Sequence, residues 1–211
     1  MIVEPHALTA QQSYRLLTGI VVPRPIAWVA TLNAQQKVNL APFSAFTFVS
    51  PKPPMIGISV GRKAGVYKDT AMNILANEHY VVHIADRPLL AKLHASSEEF
   101  PEDMSEAEQL GIETIPSDLV ATPRVAAAPI AMECRLRHTT EYGETRSRFI
   151  VGEIVQFHIK DGLLRDGKIQ TPELDPICRL AGPNYAELGD IITMPSVYQT
   201  PKTDTDRVEI E

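Results

Sequence analysis

The apolar positions of this chain fall into short runs with two different periods. Thr9-Ala-Gln-Gln12 has the pattern of a capping box and Gly19 supplies a stop, which predicts a short helix over about 9–18. β-branched and aromatic residues then dominate three stretches, Ile20 to Leu32, Lys37 to Ser50 and Pro54 to Gly61, and each reads as strand. Asn33-Ala-Gln-Gln36 between the first two reads as a hairpin loop. Asp69 to Asn77 returns to helical spacing, opened by an Asp or Thr cap, with Met72 and Leu75 or Ala76 expected inward.

The alternation continues further on. His79 to Ala85 reads as a strand, and Asp86-Arg-Pro88 opens a helix to about Ser96. Ser105-Glu-Ala-Glu108 repeats the capping-box pattern and Gly111 ends that segment. Val125 to Ile159 is strand-like again, broken by a turn at Glu141-Tyr-Gly-Glu144. Beyond Pro195 the chain is polar and aperiodic, so residues 1–195 are expected to form one domain and 196–211 a C-terminal tail. The 17 prolines are spread along the chain and punctuate strand ends, which favours a mainly β architecture with helical insertions.

Composition narrows the function classes. A hydrophobic share of 44% and mean hydropathy of −0.08 fit a globular protein, and no apolar run approaches the roughly 18 residues of a membrane span. The N-terminus has no basic region followed by an apolar stretch, and Cys134 and Cys178 are too few for a disulfide framework. A cytoplasmic protein with reduced thiols is therefore expected. The net charge of −6 argues against an extended nucleic-acid footprint. All of that excess lies in Glu98 to Glu108, which holds six acids and no base and reads as a solvated segment or, alternatively, a docking surface.

Four stretches invite chemical readings. Gly57-Ile-Ser-Val-Gly61 matches a nucleophile elbow, but Arg62-Lys-Ala-Gly65 follows where that motif needs a helix, so Ser59 reads as a strand residue. His79, His83 and His94 lack the acidic or thiol partners and the helical context that a metal would require, and no metal is expected. Arg62, Lys63 and Lys68 precede a helix N-terminus whose free N–H groups attract anions, though a solvated basic loop explains the same charges. Asn39-Leu-Ala-Pro-Phe-Ser44 is either a bulged edge strand or an interrupted edge able to pair with a planar heterocycle, since Pro42 removes a ladder donor.

Arg24-Pro-Ile-Ala-Trp-Val-Ala-Thr31, Asn39 to Phe46, Ser50-Pro-Lys-Pro-Pro54 and Lys68-Asp-Thr70 occur in an order and spacing that resemble the flavin reductase-like, FMN-binding split-barrel family. Pro123-Arg-Val125, Glu133-Cys134, Gly152-Glu153 with His158, and Arg179-Leu-Ala-Gly182 with Tyr185 extend the resemblance over about residues 12–195. The resemblance implies a six-stranded antiparallel split barrel, a homodimer and FMN near the interface. On matching positions, the backbone of Asn39, Leu40, Ala41, Pro42, Phe43 and Ser44 would meet the isoalloxazine ring. Thr31, Arg62, Lys68, Asp69 and Thr70 would serve the ribityl phosphate, and Ser96, Ser97 and Tyr185 would face the cofactor or the interface. His158 and Arg179 fall in segments resembling the reductant side and are the catalytic candidates. Gln36 replaces a glycine usual in the family, which bears on the hairpin turn.

The implied activity is NAD(P)H-dependent flavin reduction, with the nicotinamide binding transiently because no GxGxxG fingerprint is present. The final acceptor would be free flavin, an oxygenase or another electron-acceptor protein. An FMN-holding electron carrier that never meets NAD(P)H and a flavin-free binding module are the alternatives.

Overall fold

The computed structural model describes residues 1–63, 65–101 and 104–195, so the tail reading for 196–211 lies outside the described residues. Seven strands form one antiparallel sheet: β1 (Ala27–Leu32), β2 (Val38–Phe43), β3 (Phe46–Pro51), β4 (Pro54–Val60), β5 (His79–Ile84), β6 (Ile130–Tyr142) and β7 (Ser147–Ile159). Their spatial order is β2-β1-β5-β6-β7-β4-β3. The count is seven rather than six because the run 37–50 divides at Ser44-Ala45. Its first half pairs with β1 and its second half with β4, at opposite ends of the sheet order.

Local chemistry explains most elements. Helix α1 (Ala10–Ile20) opens on a reciprocal capping box between Thr9 and Gln12, but runs through Gly19 rather than stopping there. At the β1–β2 turn the Asn33 side-chain oxygen accepts from the amides of Gln35 and Lys37, and Gln36 takes φ 62°. That left-handed conformation is costly for a side chain and free for glycine, so Gln36 holds a position where glycine would fit without strain.

Helix α2 (Asp69–Asn77) ends with Glu78 in the left-handed region. It buries Thr70, Ala71 and Ile74, whereas Met72 is half exposed, so its inward face is rotated from the expected one. The Asp86–Ser96 helix begins with a 3-10 turn at Arg87–Leu89 and continues as α3 (Leu90–Ala95), and α4 (Glu106–Gln109) is a single turn. Among the described residues no helix is long and apolar enough to cross a membrane.

The two faces of the sheet carry separate cores. Ala27, Val29, Phe43, Ile58, Tyr80 and Val82 pack with Ala71 and Ile74 of α2 on one face. Trp28, Ala30, Leu40, Val81 and Ala131 pack with Leu93 of α3 and Ala107 of α4 on the other. Tyr80 lies where a side chain at Gly152 would stand, and Phe149 does the same over Gly57, so these two glycines admit an aromatic ring against the backbone. Gly57-Ile-Ser-Val-Gly61 is therefore ordinary strand, with Ser59 opposite Phe149 and no elbow.

Candidate functional site

The β2 edge and the start of α2 bring the largest group of expected residues together. Thr31 on β1 faces Asn39 across the ladder, and Thr70 and Asn73 reach the same point from the first turns of α2. The Asn39 amide donates to Thr31 Oγ1 at 3.2 Å and to Thr70 Oγ1 at 2.9 Å, while the Asn73 amide donates to Thr31 Oγ1 at 3.0 Å. A hydroxyl oxygen whose lone pairs take amide hydrogens keeps its own hydrogen for another acceptor. Thr31 and Thr70 are buried beneath the site, and its accessible rim is Ala41, Pro42, Ser44, Lys68, Asp69 and Asn73.

No side chain caps α2, so the amides of Asp69 and Thr70 point out of the helix end unbonded by a cap, beside the Lys68 stem, whose ammonium lies 5.6 Å from the Phe43 ring centroid. Uncapped amides, an ammonium and a hydroxyl suit a phosphate group, and the Asp69 carboxylate does not. At Asp69 the backbone, not the side chain, has the chemistry for such an anion.

The β2 edge is more selective than the sequence suggests. Backbone groups of alternate residues point away from β1, and α4 takes the first of them. The Leu40 amide donates to Glu106 Oε2 at 3.0 Å, and Ser105 Oγ donates to the Val38 carbonyl at 2.7 Å. The Leu40 N–H is therefore occupied. Glu106 is buried, which pushes its carboxyl above the ordinary value despite the amide bonds, and nearby Asp69 adds to the rise. One of the six acids of 98–108 thus closes the strand edge instead of facing solvent. The open part of the edge runs from Ala41 to Ser44, where Pro42 offers a carbonyl and no N–H.

Other expected residues lie elsewhere. Arg62 bonds Glu141 at 3.1 Å and the carbonyls of Gly65 and Arg146, and stacks 3.8 Å from the Tyr67 ring centroid. Arg146 and Arg148 join the same carboxylate, and Arg148 also bonds the Tyr67 hydroxyl. Ser96 is buried, accepting from Trp28 Nε1 at 2.9 Å and donating to the Leu93 carbonyl, and Ser97 donates to the His94 carbonyl. Arg179 bonds the Gly182 carbonyl and lies over the Tyr185 ring, whose hydroxyl meets His94 Nδ1 at 2.9 Å. Tyr185 and His94 line a cavity of about 520 Å³ with Arg87, Leu90 and Pro183.

His158 stands on the sheet face opposite the Thr31–Asn39 group, because it pairs with Ala131 of the second core. Its Nε2 meets Glu133 Oε1 at 2.6 Å. The carboxylate of Glu133, wholly buried, also accepts from the amides of Asp118, Leu119 and Val120 at 2.7, 2.6 and 3.0 Å. Asp118, Glu133 and His158 gather ligand atoms within 4.8 Å, yet the Glu133 oxygens are already taken by these four donors. His83 is neutral, with burial pulling its pKa down to about 4; Nδ1 meets the Trp28 carbonyl and Nε2 accepts from the Val125 amide.

Sequence reasoning left out Asn73, Arg24, Glu106 and Glu133. Asn73 was within reach, since it follows Thr70 by three residues on a helix. Each of the others also depends on partners remote in sequence, 156 residues away for Arg24, 66 for Glu106 and 25 for Glu133.

A family model, the flavin reductase like domain, matches residues 19–173. The fold aligns with component B of nitrilotriacetate monooxygenase from Bacillus cereus at TM-score 0.89 and 36% identity, covering 92% of this chain and 98% of that one. It aligns with 2-nitrobenzoate 2-nitroreductase of Pseudomonas fluorescens at TM-score 0.86 and 32% identity, covering 96% and 99%. A split-barrel domain protein from Shewanella frigidimarina, 19% identical over 93% of this chain and all of that one, has the same fold at TM-score 0.82.

Proposed function

The chain belongs to the flavin reductase-like domain family, and on that premise we propose that it is an FMN-binding NAD(P)H-dependent flavin reductase. The observation that carries this reading is the line from the uncapped start of α2 to the open edge at Ala41–Ser44. Phosphate donors lie at one end and backbone groups for a planar ring at the other, roughly 13 Å along β2 from Asn39 to Phe43. Bound there, FMN would supply the redox chemistry, accepting a hydride from nicotinamide C4 at its N5 atom.

The chain's own residues hold and orient. The amides of Asp69 and Thr70, with Lys68, take the phosphate, and Thr31, Asn39 and Asn73 keep the Thr70 hydroxyl aligned. Ala41 to Ser44 meet the ring, and Glu106 keeps the neighbouring Leu40 amide from competing for it. Arg179 and Tyr185, beside the 520 Å³ cavity, form the reductant side. His158 serves the fold through Glu133 rather than touching the ring.

The reading includes a homodimer. None of the residues of α1 is buried, with Tyr14, Leu17 and Ile20 exposed, and Phe46, Phe48, Met132 and Phe157 line an apolar cavity of about 840 Å³. Likeness to a monooxygenase component supports an oxygenase as the electron acceptor. Two free thiols suit the cytoplasm.

The test is direct. FMN titrated into purified protein should bind one per chain, and NADH or NADPH added without oxygen should bleach it rapidly. Bound FMN that ignores both nucleotides would make the protein an electron carrier instead, and a protein that takes no FMN would refute the reading.

A further inference from the structure

Arg24 is 9% exposed and is bound on every side by neutral groups. Its Nη1 donates to the carbonyls of Thr18 at 2.6 Å and Val21 at 2.8 Å, at the C-terminal end of α1. Its Nη2 donates to the Leu180 carbonyl at 3.0 Å, and its Nε to Ser44 Oγ at 3.2 Å. Among the described residues it has no carboxylate partner. Directly across a short antiparallel ladder stands Arg179, which also has no carboxylate partner among the described residues.

Two like charges side by side on paired strands are unfavourable, and a buried charge without a counter-ion costs several kcal/mol. Carbonyl dipoles offset part of this for Arg24, but dipoles do not neutralise the field beyond them. That field emerges at Ser44. With its oxygen accepting from Arg24 Nε, the Ser44 hydroxyl is left to donate its hydrogen outward, at the open end of the β2 edge.

We propose that Arg24 is a positioning residue for the flavin ring, orienting the Ser44 hydroxyl from behind and supplying the fixed positive charge that favours the reduced ring. This rests on the flavin reading above. A hydride delivered to N5 carries two electrons and one proton, so the nicotinamide leaves as a cation and the ring keeps one negative charge. A guanidinium set in a water-poor corner stabilises that charge without reorganising. Arg179, nearer solvent and stacked on Tyr185, adds less.

The experiment measures the two-electron midpoint potential of bound FMN, together with the dissociation constant of oxidised FMN, in the wild type, R24Q, R24K and S44A. R24Q should lower the preference for reduced over oxidised FMN about tenfold or more, a downward shift of about 30 mV for a two-electron couple. R24K, which keeps the charge, should recover most of that potential. S44A should shift it in the same direction but by less, and reports on the corner even where R24Q fails to fold. A potential unchanged in S44A, or in a folded R24Q that binds FMN, would overturn the proposal. A wild type that binds no FMN would instead overturn the flavin reading beneath it.

Discussion

Replacing Glu133 with glutamine tests how much of the fold hangs on one buried carboxylate. Its two oxygens accept four hydrogen bonds, from Asp118 N and His158 Nε2 on one and from Leu119 N and Val120 N on the other. Glutamine keeps one oxygen and turns an NH2 group toward the other pair. If the NH2 faces Leu119 and Val120, two part-buried amides lose their acceptor. If it flips, His158 can change tautomer and accept, but the Asp118 amide is stranded. Each unsatisfied donor costs about 1–3 kcal/mol, so E133Q should lose about 3 kcal/mol. For a chain of this length that is a fall in Tm of about 6–12 °C.

The pH dependence has a definite sign. Burial would raise the Glu133 carboxyl, but the bonds from His158, Asp118 and Leu119 outweigh it and hold the group below its ordinary value. Its contribution is therefore complete above the ordinary carboxylate range and lost as pH falls through the lowered folded value. The Tm gap between wild type and E133Q, measured by circular dichroism, should narrow on the acid side of that range. A loss under about 1 kcal/mol near neutral pH, or a gap that widens toward acid, would refute the reasoning.

Three further perturbations address other parts of the molecule. His83 binds a proton more readily unfolded than folded, so stability should rise between about pH 4 and 6.5 by an amount of order 3 kcal/mol, and H83N should flatten that slope in urea titrations. G152A drives a methyl into the fully buried Tyr80 and should cost about 1–3 kcal/mol in chemical denaturation; a neutral result would mean that Tyr80 relocates freely. K68A should weaken FMN binding about tenfold by fluorescence titration, as expected for a lost charge-assisted contact, and N73A by less, since it only loosens Thr31 behind Thr70; unchanged affinity in K68A would move the phosphate site elsewhere.

Local signals made much of the fold legible. The Thr9–Gln12 capping box, the strand expected from His79 to Ala85 and the two long strands depend on neighbouring residues, and they were readable, although the turn between the long strands falls at 143–146, two residues beyond the expected 141–144. Where the reading failed, tertiary pairing decided. The run 37–50 is uniformly strand-like, yet it serves two distant partners, β1 and β4, and nothing local marks Ser44-Ala45 as the parting point. The inward face of α2 slipped because Thr70 is buried by hydrogen bonds from Asn39, a polar burial that hydrophobic spacing does not register. In the candidate site, the basic loop and the β2 edge were visible as types of residue. That Arg62 is spent on Glu141, that Glu106 occupies the Leu40 amide and that Arg24 backs Ser44 are facts of chain return, created only when remote segments meet.

The central claim is that the start of α2 and the open edge of β2 hold FMN and that a nicotinamide nucleotide reduces it there. Anaerobic addition of NADH or NADPH to the FMN-loaded protein measures this most directly. The account predicts binding of one FMN per chain and rapid loss of its visible absorbance with at least one of the two nucleotides. A chain that takes up no FMN, or whose FMN keeps its colour with both, would contradict it.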